Sequence, residues 1–158
     1  MNGWTKMTSR APAPGTTVPG QPVSVTIAEN QIDLLDSPDP ELAANKRLVF
    51  DWWREVLAAA HVEVADKYMH PDYIQHNPNI ATGRQGFVEY FGARPRREIA
   101  STIANLVTIV AEGDLVVFSF RRELTDPRDS TKQYTSTWFD MMRVKDGKIA
   151  EHWDYGTK

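Results

Sequence analysis

The chain is expected to fold as α+β, with three N-terminal helices packed on one face of a curved antiparallel sheet. Three observations lead there. Apolar residues recur at helical spacing between Asp39 and Met69, the repeat changes toward two from about Ile99, and a hairpin signal, Asp146-Gly147, sits near the end. Helices first and strands afterwards is an order that segregates the two layers. At 158 residues the chain suits one domain with a real core.

Residues 1–36 read as a flexible Pro/Gly-rich tail. Ala11-Pro12-Ala13-Pro14-Gly15 and Pro19-Gly20-Gln21-Pro22 prevent regular helix, and Val23 to Ile27 has only weak strand potential. Residues 37–158 read as the folded domain. Asp39-Pro40-Glu41 is a helix start: an N-cap acid, proline at the first helical position, then a second acid. Leu42, Val49, Trp53, Val56, Leu57 and Ala60 share one face, with Trp52 off it. A shorter helix follows, buried through Val62, Ala65, Tyr68 and Met69 and stopped by Pro71.

Tyr73-Ile74-Gln75-His76-Asn77-Pro78 is an extended piece, because the residue before a proline avoids helix. Phe87 to Phe91 reads as the third helix. Strands are expected around Ile103–Val110 and Leu115–Leu124, turned by Glu112-Gly113-Asp114, with Val116, Phe118 and Phe120 on one face.

Asp146-Gly147 suits a type I′ turn, whose central residues both need positive φ. A two-residue loop pairs Val144 with Ile149, Met142 with Glu151, Asp140 with Trp153 and Trp138 with Tyr155 on one side. Arg143–Ala150, Met141–His152 and Phe139–Asp154 then share the other. In that register Asp140 stands among aromatics while His152 and Asp154 point away. One bulged residue would reverse the second strand's faces.

Composition excludes several functions. A formal charge of −3 gives no attraction for nucleic acid or an anionic membrane, so neither is expected as a partner. The absence of cysteine removes disulfides, thiolate nucleophiles and Cys-based metal sites. No apolar run approaches the ~20 residues of a membrane span, and the N-terminus lacks a signal-peptide core. The expected location is cytoplasmic, or periplasmic if a signal segment has been removed. Neither a Walker loop, nor a dinucleotide fingerprint, nor a Gly-x-Ser-x-Gly elbow is present, so no cofactor is expected.

The first candidate for chemistry is Asp140, a lone acid in an apolar strand. It is either a general acid or base with a raised pKa, or an acid satisfied structurally by Arg121, Arg122 or an amide. His76 and Asn77 come next: a neutral-pH proton exchanger and an amide, or a loop histidine beside an Asx turn. No metal is expected, since the register separates His152 from Asp140 and no paired-ligand motif occurs. Trp53, Trp138 and Trp153 are core or pocket walls.

The order of elements, with Tyr-Ile-Gln-His-Asn-Pro after the second helix and Asp-Met-Met-Arg-Val-Lys-Asp-Gly-Lys-Ile-Ala-Glu-His-Trp-Asp at the end, resembles SnoaL-like proteins. These belong to the cone-shaped superfamily of nuclear transport factor 2, ketosteroid isomerase and the polyketide cyclases. The resemblance covers roughly Glu41 to Asp154. It implies a pocket between helices and concave sheet, and often a homodimer through the outer sheet face, where Phe139 and Met141 are expected. It also implies that Asp140 matches the cyclases' acid in the penultimate strand. The histidine those cyclases carry in the preceding long strand has no counterpart in Phe118-Ser119-Phe120-Arg121.

The expected activity is cofactor-independent acid–base chemistry at a carbon next to a carbonyl or activated ring: aldol-type cyclisation, retro-aldol cleavage, isomerisation or dehydration. Asp140 and His76 are the expected catalytic pair. Asn77, Trp53, Trp138, Met142 and Trp153 are expected around a small apolar or aromatic ligand. The competing class is a non-catalytic binding or interaction module on the same fold. Epoxide hydrolysis of the limonene-epoxide-hydrolase type would need a second acid on the face of Asp140, where this register offers only Glu151.

Overall fold

The computed structural model describes residues 25–156. The first helix, α1 (Pro40–Trp52), starts as expected: Asp39 Oδ1 accepts from the amides of Glu41 at 2.8 Å and Leu42 at 3.4 Å. It continues into a π-helical turn at Trp53–Ala58 and ends at Ala60 with φ 60°. Burial is wider than the expected stripe already within α1, before this turn. Phe50 and Trp52 are enclosed along with Val49, Trp53 and Val56. Two short helices follow, α2 (Ala65–Tyr68) and α3 (Arg84–Gly92).

The strands are β1 (Met69–Gln75), β2 (Leu106–Glu112), β3 (Leu115–Asp126), β4 (Asp129–Lys145) and β5 (Lys148–Trp153), in the order β1-β5-β4-β3-β2. The expected all-antiparallel sheet is instead mixed, because β1 joins the edge parallel to β5. No hairpin links these two strands, so turn geometry does not impose antiparallel pairing. Their register slips between Met69↔Ile149 and Ile74↔Glu151. Pro71 lies in this gap, where it has no N–H to give the ladder. Met69, read as the end of a helical stripe, is the first residue of β1.

The helices cover one sheet face. Val116, Phe118 and Phe120 line it from β3, opposite Met142, Asp140 and Trp138 of β4. Trp53 stacks on Phe120 at 4.7 Å between ring centroids. No helix among the described residues is long and apolar enough to cross a membrane.

Of the proposed tail, residues 1–24 lie outside the described residues. Residues 28–36 are docked. Ala28 donates its amide to the Leu106 carbonyl at 2.8 Å, and Leu35 is buried in a 3-10 turn at Asp33–Leu35. The Gln31 amide clamps Ile103: Nε2 donates to its carbonyl at 2.8 Å, and Oε1 accepts from its N–H at 2.7 Å. All of these groups are buried, so removing the clamp strands two backbone groups. Gln31→Ala is expected to lose about 2–4 kcal/mol in urea unfolding; an unchanged midpoint would mean that the clamp is not formed in solution.

Candidate active site

A single bulge decides which side chains meet. The turn at Asp146-Gly147 has φ 51° and 69°, as a type I′ turn requires, and Lys145↔Lys148 and Val144↔Ile149 pair as expected. The next pairs are Arg143↔Glu151, Met142↔His152 and Met141↔Trp153, so Ala150 is an extra residue on β5. Ile149 and Ala150 are both buried, and every residue beyond them changes face. The unbulged register is therefore corrected. His152 and Asp154 point to the side of Asp140, while Glu151 and Trp153 point to the other.

Asp140 and His152 are 1% and 2% exposed, and His152 Nε2 lies 3.2 Å from Asp140 Oδ1. The neighbouring bonds determine the tautomer. Gln75, opposite His152 on β1, accepts at Oε1 from the Asn77 amide at 3.1 Å, so its Nε2 is the end facing inward. That nitrogen donates to Tyr73 Oη at 3.1 Å and lies 3.2 Å from His152 Nδ1. His152 Nδ1 is thus the acceptor, and Nε2 carries the proton toward Asp140.

Asp154 completes the group. Its Oδ2 accepts from Asn77 Nδ2 at 2.9 Å. Its Oδ1, like Asp140 Oδ2, is buried without a hydrogen-bond partner among the described residues. Burial raises the Asp140 pKa; the His152 hydrogen bond opposes this and the Asp154 charge adds to it. Burial likewise pushes the Tyr73 hydroxyl upward, reinforced by Asp154 and Asp140, so it stays protonated. Trp52, 0% exposed, meets the His152 ring edge-on at 5.8 Å.

Asp140, His152 and Asp154 each offer one ligand atom within 4.8 Å of the others, a spacing that a divalent cation could bridge. The separation that argued against such a cluster is corrected by the bulge. Both His152 nitrogens are engaged, however, so a cation would have to displace Asp140 or Gln75 from the ring.

A cavity of about 550 Å³ opens beside this group, where β5 ends and β4, still paired with β3, leaves its other edge uncovered. Residues 154–156 leave β4 for β1: Asn77 holds Asp154, and a Cβ on Gly156 would stand 2.7 Å from Asn77 Oδ1. Trp138, Phe139 and Met141 line the cavity from β4, Arg122 and Leu124 from β3, and Trp153, Asp154 and Tyr155 from the terminus. Asp154 is the cluster member on its wall; Asp140 and His152 lie behind.

Sequence-predicted site residues divide accordingly. Trp138 and Trp153 line the cavity, and Asn77 positions Asp154. Trp53 and Met142 are packed in the core. His76 is not brought to Asp140. Its Nε2 sits 3.0 Å from Glu151 Oε2, and its ring stacks on Trp153 at 4.6 Å, on the opposite face. Strand alternation is the reason: Gln75 faces His152, so His76 faces outward. Tyr73, Gln75, His152 and Asp154 were missed as site members. One signal was available, since the unbulged register turns the charged Glu151 toward Met142 on the apolar face. The bulge instead gives Glu151 to Arg143, 3.1 Å away, and to His76.

Residues 50–152 match the SnoaL-like domain. A candidate SnoaL-like polyketide cyclase from Jannaschia sp. CCS1 is 18% identical, over 76% of this chain and 90% of its own, with a TM-score of 0.53. TsrD from Streptomyces laurentii is 24% identical over 75% and 90%, at 0.46. An LEH-like epoxide hydrolase from M. tuberculosis is 16% identical over 73% and 84%, at 0.48. At these identities the likeness is one of fold, carried by the first. No protein of curated function matches the sequence.

Two outcomes are expected from the buried cluster. Long-range ¹H–¹⁵N spectra should show His152 protonated at Nε2, and Gln75→Glu, which cannot donate to Nδ1, should move a proton onto that nitrogen. An unchanged pattern in the variant would disprove that Gln75 sets the His152 tautomer. Because the Asp140 pKa is raised in the fold, ionising it costs stability once the pH passes the ordinary carboxylate value. Asp140→Asn should therefore raise Tm at pH 7–8, with the gain vanishing toward pH of about 4; a gain that persists in acid would contradict the burial cost.

Proposed function

The chain belongs to the SnoaL-like domain family, and we propose that it performs cofactor-independent acid–base chemistry on a small, largely apolar organic molecule. The observation carrying this reading is Asp154: an acid on a cavity wall with one buried, unpartnered oxygen, backed by the Asp140–His152 pair. Asp154 removes a proton from a carbon next to a carbonyl or activated ring and becomes a carboxylic acid. The electron pair moves to the carbonyl oxygen, giving an enolate. Asp140 and His152 set the field behind Asp154, and Trp138 and Trp153 shape the site. Aldol-type cyclisation, isomerisation and dehydration share this first step. In retro-aldol cleavage Asp154 takes the proton of the β-hydroxyl instead; that carbon becomes a carbonyl, and the breaking C–C bond leaves its electron pair as the same enolate.

A second reading has its own support. Asp154 supplies a second acid beside Asp140 where the unbulged register offered only Glu151, and two acids, each with an oxygen unpartnered among the described residues, are suited to hold a water for epoxide opening. The two chemistries are separated by one panel. Enolisable aryl ketones in D₂O should acquire deuterium next to the carbonyl, whereas epoxides would give diols carrying ¹⁸O from labelled water. Asp154→Asn should stay folded and slow deuterium uptake by about 10²–10⁴-fold. Retained uptake would remove Asp154 from the mechanism. Ligands that bind by native mass spectrometry but never react would indicate a binding module.

A further inference from the structure

Arg122 is the one cation on the cavity wall among the described residues, and it has no acidic partner there. Its neighbours differ. Arg121 pairs with Glu123 at 3.1 Å, and Arg143 holds both Asp114 at 2.6 Å and Glu151 at 3.1 Å. The Arg122 guanidinium lies over the Trp138 indole, 5.9 Å from the ring centroid, with its N–H fork uncommitted to any described group. Its place follows from register: Arg122 pairs with Ser136, two residues beyond Trp138 and four beyond Asp140 along β4.

Four residues of strand span about 13 Å. The cavity therefore has a cation toward one end, an aromatic floor at Trp138, and Asp154 toward the other. We propose that this cavity takes a flat, bicyclic-sized aromatic acid, with its carboxylate gripped by Arg122 and the far end of the ring system directed to Asp154. A planar guanidinium matches a carboxylate through two parallel hydrogen bonds, which an ammonium cannot reproduce. The apolar walls, Leu124, Phe139, Met141 and Trp153, accept the rings. This inference rests on the cavity being the ligand site described above, but it concerns recognition and not proton transfer.

The test uses the full chain and two probes of nearly equal shape, 2-naphthylacetate and its neutral amide, in isothermal titration at low salt. The carboxylate should bind about tenfold more tightly than the amide. Arg122→Gln should bring the two to equal affinity, Arg122→Lys should keep part of the difference, and added salt should shrink it. Arg122 is exposed, so these variants are expected to fold. Equal binding of both probes by the unaltered protein, a preference that survives Arg122→Gln, or no binding of either at millimolar concentration would each overturn the proposal. Asp154→Asn separates it from the acid–base reading, because the carboxylate preference should survive that change even if ketone exchange is never observed.

Discussion

The extra residue at Ala150 is the constraint on which the site depends. Without it, β5 would turn Glu151 toward Met142 in the closed interior, where an unpaired carboxylate is costly. With it, Glu151 reaches Arg143 and His76 on the outer face, and His152 takes the inner position beside Asp140. The same shift carries Asp154 inward, where Asn77 can hold it. One inserted residue thus separates an outer network of charges from an inner group of two acids and a histidine.

That inner group is held from β1, the strand whose parallel placement was not foreseen. Gln75 faces His152 only because β1 runs alongside β5, and the Asn77 amide fixes which end of Gln75 points inward. Proton positions at His152 are therefore determined by the backbone N–H of Asn77, two residues past the end of β1. The acids pay for their burial with raised proton affinity at Asp140 and with one unpartnered oxygen each. Of the three, Asp154 is the one that lines the cavity among the described residues.

The cavity has an equally simple origin. β4 is much longer than β5, and residues 154–156 turn away toward Asn77, so part of the β4 edge is left uncovered. Gly156 permits the approach, since a Cβ there would collide with Asn77 and Pro78. Aromatic side chains from both faces of β4 gather at this edge. Arg122 then marks its far end.

Much was legible from residue order alone. The α1 cap at Asp39, the I′ turn at Asp146-Gly147 and the buried face of Val116, Phe118 and Phe120 follow from local rules of spacing and turn chemistry, and the family from the resemblance of its motifs and element order. The full burial of Trp52 was not expected, although it stands three residues after Val49 and four before Val56; what encloses that flank of the helix is Phe87 of α3, a neighbour distant in sequence. Nor was the partner of Asp140 legible. In strands a one-residue change exchanges the two faces, and no glycine or proline in Ile149-Ala150-Glu151 announces the bulge. Sequence by itself determined that an acid would lie in an aromatic strand beside a tight hairpin. Only the tertiary structure decided that His152 and Asp154 would meet it, since face and neighbour depend on how charged residues distant in the chain find partners outside the core.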